Sequence, residues 1–259
     1  MASLRVIARL DIKGANLIKG VHLEGLRVVG DPHEHALRYY QQGADELVFM
    51  DIVASLYQRN NLSDIIKRAA DQVYIPITVG GGIRSLDDVS LMMHSGADKV
   101  AINTAAIARP QLISEVARRY GSQCMVLGVE AKRVATGRWE AYTDNGRERT
   151  GRDVVAWVRE AVALGAGEVL LTSVDQEGTR KGFDLPLLQQ VCDAVSVPVT
   201  ASGGFGQAAD VTSAASAGVS AIAVADALHW KRMTLHDIKQ AAQAMGLDVR
   251  MSIPDEALT

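Results

Sequence analysis

Apolar runs of five to seven residues recur along this chain, at 5–11, 46–51, 75–79, 98–102, 124–130, 167–172, 197–201 and 220–225. Each is followed by a polar or glycine-bearing stretch and then by a segment whose apolar positions return every three or four residues. Examples are "DPHEHALRYYQQG" at 31–43, "LSDIIKRAADQ" at 62–72 and "RDVVAWVREAVALG" at 152–165. The short runs read as strands buried on both faces and the periodic segments as amphipathic helices. Eight strand–helix units within 259 residues match the arithmetic of a TIM (β/α)8 barrel, an α/β fold. An open doubly wound sheet is the rival, but no GxGxxG pattern follows the first strand.

The chain also repeats itself. "GADELVFMD" at 43 returns as "GAGEVLLTS" at 165, "IPITVGGGI" at 75 as "VPVTASGGF" at 197, and "GADKVAINT" at 96 as "GVSAIAVAD" at 218. All three pairs lie 122 positions apart. A constant offset predicts one domain over 1–259, built from two half-barrels of approximately 1–122 and 123–259. Each half closes the sheet edges of the other.

Composition narrows the partners. Thirty acidic against 27 basic residues leave a net charge of −3, which gives no reason to expect nucleic acid or an anionic membrane. No apolar run approaches the roughly 20 residues that span a bilayer. Arg5, Arg9 and Asp11 interrupt the first apolar stretch, so it does not read as a signal peptide. Cys124 and Cys192, each inside an apolar segment, read as buried reduced thiols of a cytoplasmic protein. The "HEH" triplet at 33–35 follows Asp31-Pro32 and reads as a helix start rather than as metal ligands; no metal site and no cofactor are expected.

In such a barrel, chemistry belongs at the C-terminal ends of the strands. Strand one ends at Asp11 and strand five at Glu130, so two carboxylates are expected to face the mouth from opposite sides. "GGGI" at 80–83 with Asn103 and Thr104 reads as one phosphate cradle, and "SGGFG" at 202–206 as its counterpart. Asp226 occupies the position equivalent to Thr104. It either faces the site, where it would repel an anion, or caps the following helix. Two loops exceed the usual length. Residues 12–30 carry Lys13, Lys19 and Arg27 with Glu24 as their one acid, and read as a basic lid. Residues 131–150 read as a solvated hairpin around Asn145-Gly146. At the opposite rim, Arg5, Glu46, Lys99 and Glu168 stand at strand starts with balanced sign, and could close the barrel floor as an ion-paired ring.

These segments resemble the cyclase subunit of imidazole glycerol phosphate synthase, the HisF family, over nearly the whole chain. The similarity is carried by "LD" at 10–11, "KG" at 19–20, "GADELVFMDI", "TVGGGI", "GADKVAINTAA", "GSQ" at 121–123, "GAGEVLLTS" and "ASGG". The resemblance implies a heterodimer with a HisH-like glutaminase docking at Asp98 and Gln123. Ammonia would pass the gate of Arg5, Glu46, Lys99 and Glu168 and reach a bisphosphate aminoimidazole ribonucleotide at the mouth. The products would be imidazole glycerol phosphate and an aminoimidazole carboxamide ribotide, formed without cofactor or metal. Asp11 would act as acid/base and Lys19 would sit on the lid. Gly82, Asn103 and Thr104 would hold one phosphate, Gly203 and Gly204 the other. Glu130 and Glu177 stand where the family has Asp, and Asp226 where it has a small hydroxyl residue. The stretches "RLDIKGANLIKGVHLEGLRVVGDP" and "TSVDQEGTRKGFD" are more similar to the paralogue associated with amidation of surface-polysaccharide sugars. That likeness makes ammonia supply to a separate sugar amidotransferase the leading expectation, with histidine-pathway cyclisation as the alternative.

Overall fold

The computed structural model describes residues 3–53 and 62–251. The expected domain of 1–259 thus includes residues 1–2, 54–61 and 252–259, which lie outside the described ones. Eight parallel strands close into a barrel: β1 (Arg5–Lys13), β4 (Glu46–Asp51), β5 (Ile77–Gly80), β6 (Lys99–Ile102), β7 (Met125–Ala135), β10 (Glu168–Ser173), β11 (Val199–Ser202) and β12 (Ala221–Val224). They pair in that order, and β12 pairs back onto β1. The repeat survives in the elements themselves, since β4, β5 and β6 recur 122 residues later as β10, β11 and β12 with unchanged lengths.

The strands are apolar on both sides because each side meets protein. Val6, Ala8, Leu10, Leu47, Phe49 and Leu127 point outward into a continuous core under the helices. Their alternating neighbours point into the lumen, where Ile7, Val48, Ala101, Val126, Leu170, Ala221 and Ala223 form a separate apolar cluster. The same parity places Arg5, Glu46, Lys99 and Glu168 one step below this cluster, and Arg9, Thr172 and Ser202 one step above it. The lumen is therefore layered along its axis as charged floor, apolar middle and polar mouth.

Helix starts follow the capping chemistry of the sequence. Asp31 accepts hydrogen bonds from the His33 and Glu34 N–H groups, opening the helix Pro32–Gln41 that the "DPHEH" stretch predicts. Ser85 with Asp88, and Thr234 with Asp237, close reciprocal capping boxes. Cys124 and Cys192 are free and only half-buried, less enclosed than their apolar surroundings in sequence predict. Among the described residues no helix is long and apolar enough to cross a membrane.

Both long excursions are folded sheet. Residues 12–30, expected as a basic lid, are not irregular loop but form β2 (Asn16–Val21) and β3 (Glu24–Gly30), an antiparallel pair hydrogen-bonded to the end of β1. The excursion after the fifth barrel strand is the hairpin that the Asn-Gly turn predicts, made of β8 (Arg138–Thr143) and β9 (Glu148–Asp153). It is not merely solvated. Trp139 Nε1 donates to Asp184 over 2.9 Å, and the Arg133 guanidinium lies 5.0 Å from the Trp139 ring centroid. These contacts pin the hairpin against the barrel.

Candidate active site

Asp11 is the last lumen-facing side chain before β1 turns into β2, and only 2% of it is exposed. Arg9 Nε donates to Asp11 Oδ1 over 2.8 Å, and Lys19 Nζ lies 3.6 Å from Asp11 Oδ2. The remaining arm of Arg9 reaches across the lumen, donating to Thr172 Oγ1 and Ser202 Oγ at 2.9 Å each. Burial alone raises the pKa of Asp11, but the charges of Arg9 and Lys19 outweigh it and hold the carboxyl below its usual range. Lys19 is buried between Asp11 and the Glu177 carboxylate, to which it also donates. Burial opposes its charge, yet those two acids raise its pKa on balance. Lys19 is thus held inside the mouth by two carboxylates.

Glu130 has a different environment. It extends from β7 into a cavity of about 410 Å³ that it shares with Gly82, Asn103, Thr104 and Asp144. Its Oε2 accepts from the Gly146 N–H over 2.8 Å. Enclosure by protein pushes its pKa up to about 7; that hydrogen bond and Arg9 oppose the shift, while Asp144 and Asp11 add to it. Asp11 does not line this cavity. The expected pair therefore stands at the ends of β1 and β7, with Glu130 lining this cavity and Asp11 buried beside it under Arg9 and Lys19. One stays ionised beneath Lys19, and the other is poised to exchange a proton near neutrality.

The first glycine cradle has the predicted form. Gly81 and Gly82 have φ of +88° and +73°, and a Cβ on Gly81 would lie 2.1 Å from the Asp51 carbonyl oxygen. Thr104 starts the short helix Thr104–Ala108, and its Oγ1 accepts from the Asp144 N–H at 3.5 Å. Asn103 donates from Nδ2 to the Tyr142 carbonyl at 3.0 Å, while its Oδ1 is buried without a protein partner. The β8–β9 turn thus forms a wall of this cavity.

The second cradle differs. Gly203 and Gly204 have φ of +91° and +108°, values that favour glycine, and their turn forms a small nest at the end of β11. Yet a Cβ on Gly203 would lie 3.2 Å from Glu177 Oε2, so that carboxylate stands over the nest. Asp226 also lines it. The capping alternative for Asp226 does not hold: the helix Asp226–His229 is one turn long, with Ala225 at its N-cap position. Asp226 instead accepts from Arg232 NH1 at 2.5 Å and lies 4.0 Å from Arg180 Nε.

At the other end of the lumen the four expected charges form a closed ring. Arg5 pairs with Glu46 and, at 2.9 Å, with Glu168; Lys99 pairs with Glu46 at 3.0 Å and Glu168 at 2.8 Å. Thr200 Oγ1 donates to Glu168 over 2.9 Å. Burial acts to raise the pKa of Glu168, but Arg5 and Lys99 reverse it. Asp98 and Gln123 lie exposed on the same rim, with Asp98 Oδ2 accepting from the Ile77 N–H at 2.8 Å.

Sequence reasoning missed Arg9, Thr172 and His229 as site residues, and took Ser202 only as the first residue of the second cradle. His229 packs behind Asp11 and Lys19, with Nδ1 2.6 Å from the Tyr39 hydroxyl and Nε2 without a partner. Burial, reinforced by the Lys19 charge, drives its pKa down to about 3, so the ring is neutral. The parity of Arg5, Arg9 and Asp11 along β1 was the available signal for Arg9.

A family model described as histidine biosynthesis protein matches residues 5–234. A protein of Legionella pneumophila named imidazole glycerol phosphate synthase subunit HisF is 68% identical over 207 residues, covering 80% of this chain and 98% of that protein. Proteins of the same name from Myxococcus xanthus and Streptococcus sanguinis are 50% and 47% identical, covering 96% and 97% of this chain and 99% and 100% of their own lengths. The chain belongs to the histidine biosynthesis protein family and, within it, to the HisF subunits.

Proposed function

We propose that this chain is the cyclase subunit of an imidazole glycerol phosphate synthase. It takes ammonia from a HisH-like glutaminase and condenses it at the barrel mouth with a bisphosphate aminoimidazole ribonucleotide. The observation that carries this reading is the divergence of Asp11 and Glu130, one acid held ionised and the other raised to about 7. Acid/base chemistry near neutral pH needs one group that accepts a proton and one that still holds one. In this reading Asp11 accepts a proton from the ammonia adduct, and Glu130 in its carboxylic form donates to the departing group. Arg9 and Lys19 keep Asp11 charged. The cradle of Gly82, Asn103 and Thr104 anchors one phosphate, and no metal or cofactor is needed for these steps. The glutaminase would dock over Asp98 and Gln123, where released ammonia meets the charged ring and then the apolar lumen. A cytoplasmic location belongs to the same reading.

One observation favours a second reading, supply of ammonia to a separate sugar amidotransferase. Glu177 and Asp226 put two acids at the second phosphate cradle, whereas the ion ring at the floor is complete. Conduction needs the ring and lumen but not a two-phosphate site. Incubating the purified protein with ammonium salt and the bisphosphate aminoimidazole ribonucleotide separates the two. Turnover lost in Asp11→Asn supports the cyclase. Absence of turnover, with glutaminase stimulation intact, overturns it in favour of the conduit.

A further inference from the structure

Glu130 and the first phosphate cradle share one cavity, and Asp144 lines it with them. Asp144 comes from the β8–β9 turn, which is tied to the barrel at three points. Its N–H donates to Thr104 Oγ1 at 3.5 Å, the Asn145 amide donates to the Ile52 carbonyl, and the Gly146 N–H donates to Glu130 Oε2 over 2.8 Å. Asp144, Asn145 and Gly146 are all left-handed, with φ of 50°, 58° and 71°. A turn so constrained holds its carboxylate in place when another negative charge enters the cavity. The Asp144 side chain has no hydrogen-bond or ion-pair partner of its own among the described residues that would mask it.

The charges around Glu130 come from every neighbouring element. Arg9 and Asp11 stand on β1, Asp51 at the end of β4, Arg84 after β5, and Arg109 at the end of the Thr104–Ala108 helix. Tyr142, its cross-strand neighbour on β8, carries the Lys132 ammonium 5.0 Å from its ring centroid. Arg9 is already engaged by Asp11, Thr172 and Ser202, and Arg109 by Glu115. Among the described residues the donor to Glu130 is the Gly146 backbone, not a basic side chain. A new negative charge beside Glu130 is therefore met by protonating it, because its carboxyl already exchanges a proton near neutrality.

We propose that a phosphate group seated in the cradle of Gly82, Asn103 and Thr104 draws a proton from solvent onto Glu130, so that the ligand itself loads the acid. The inference rests on the reading that this cradle takes a phosphate. A charge entering the cavity that Glu130 shares shifts its proton equilibrium by about tenfold, or about one pH unit. Just above neutral pH the free protein then holds Glu130 mostly ionised and the ligand-bound protein holds it mostly protonated. The coupling is reciprocal: the protonated form binds the anion more tightly by the same factor. Asp144 sets the starting point, since its fixed carboxylate adds to the proton affinity of Glu130 before any ligand arrives.

Sulfate titrated into the full-length protein tests this without reference to turnover, because its charge is fixed through the pH range in question. Calorimetry at pH 7.5 in two buffers of different ionisation enthalpy should show uptake of about half a proton per sulfate bound at this cradle. Its affinity should fall by up to about tenfold between pH 6 and pH 9. Thr104→Glu, which crowds the cradle, should remove the event that takes up the proton. Glu130→Gln keeps an acceptor for the Gly146 N–H and should bind sulfate with no uptake and no such fall. Asp144→Asn, a change on a half-buried turn, should move the midpoint of the fall to lower pH and serves if the Glu130 variant folds poorly. Binding without uptake, uptake that survives in Glu130→Gln, a midpoint unmoved in Asp144→Asn, or no event lost in Thr104→Glu overturns the proposal. Sulfate bound without uptake would leave the cyclase reading standing, and uptake in a protein that fails to cyclise would leave this result standing.

Discussion

Arg9 and Asp11 lie two residues apart on β1, both almost fully buried, and meet through an Nε–Oδ1 hydrogen bond of 2.8 Å. The pair spans the inner edge of the mouth, since Arg9 also grips Thr172 and Ser202 on β10 and β11. Substituting Arg9→Met removes the nearest cation while keeping an unbranched side chain. Asp11 then has only Lys19 to oppose its burial, so its pKa rises and the acidic limb of any pH–rate profile moves to higher pH. Breaking a buried pair on one side costs about 3–5 kcal/mol, which urea unfolding at neutral pH measures. An unchanged acidic limb would show that Arg9 does not control the charge of Asp11.

Glu130 sets a second pH dependence of opposite sign. Its folded pKa is about 7, above the roughly 4.3 of a free glutamate. The folded protein therefore holds this proton through a window in which the unfolded chain has released it. The contribution to stability is full below about pH 4 and is lost as pH rises through about 7. Asp11, with its lowered pKa, contributes in the reverse sense: present above about 3.9, the ordinary aspartate value, and lost as pH falls through its folded value. Comparing Glu130→Gln with the parent by urea unfolding at pH 5 and pH 8 isolates the first term. The parent should lose stability relative to the variant between these two pH values.

Much of this was legible in the sequence, for identifiable reasons. Strand periodicity and the 122-residue repeat gave the barrel, because buried parallel strands leave apolar runs that need no partner to be recognised. The charged ring and the ends of β1 and β7 followed from strand direction. Arg9 shares the parity of Arg5 and Asp11, but its partners Thr172 and Ser202 were not legible, since they meet it only across the closed barrel. Residues 12–30 read as a loop because their glycines and isolated lysines mask a strand alternation that is completed only by pairing with β1. The fate of Asp226 depended on the turn that brings Arg232 back onto it, with Arg180 added from the loop after β10.

The first cradle makes a steric prediction. Gly81 combines φ of +88° with an approach that would put a Cβ 2.1 Å from the Asp51 carbonyl oxygen. Gly81→Ala must shift backbone on both sides, at a cost of about 2–4 kcal/mol. Thermal unfolding should show the loss, and phosphate binding at this cradle should weaken with it. The exposed Gly14, where a Cβ would meet nothing within 4 Å, is the control that retains a positive φ without the clash.

The floor ring predicts a split between two ammonia sources. Lys99 bridges Glu46 and Glu168, so Lys99→Met leaves those acids with Arg5 as their partner in the ring. The uncompensated charge should cost up to about 3 kcal/mol. If ammonia enters through this ring, glutamine-driven turnover with the glutaminase bound should change far more than turnover driven by ammonium salt, which reaches the mouth from solvent. Equal effects on both would place the damage in the fold rather than in the passage.

The two long acids allow the sharpest test of how the mouth is tuned. Glu130 and Glu177 each reach one methylene, ~1.5 Å, further than aspartate, and displacement of a reacting group by ~1 Å can change a rate by about 100-fold. Shortening Glu177 withdraws its carboxylate from the Gly203 nest and weakens its hold on Lys19. Shortening Glu130 draws its carboxyl back toward β7 and away from the Gly146 N–H. Were the mouth built around these longer acids, Glu130→Asp with Glu177→Asp would lower cyclisation by about 100-fold. Were it retuned away from an aspartate-based cyclisation, the same pair of changes would raise it. Steady-state turnover with ammonium salt, measured for both singles and the double, decides the sign.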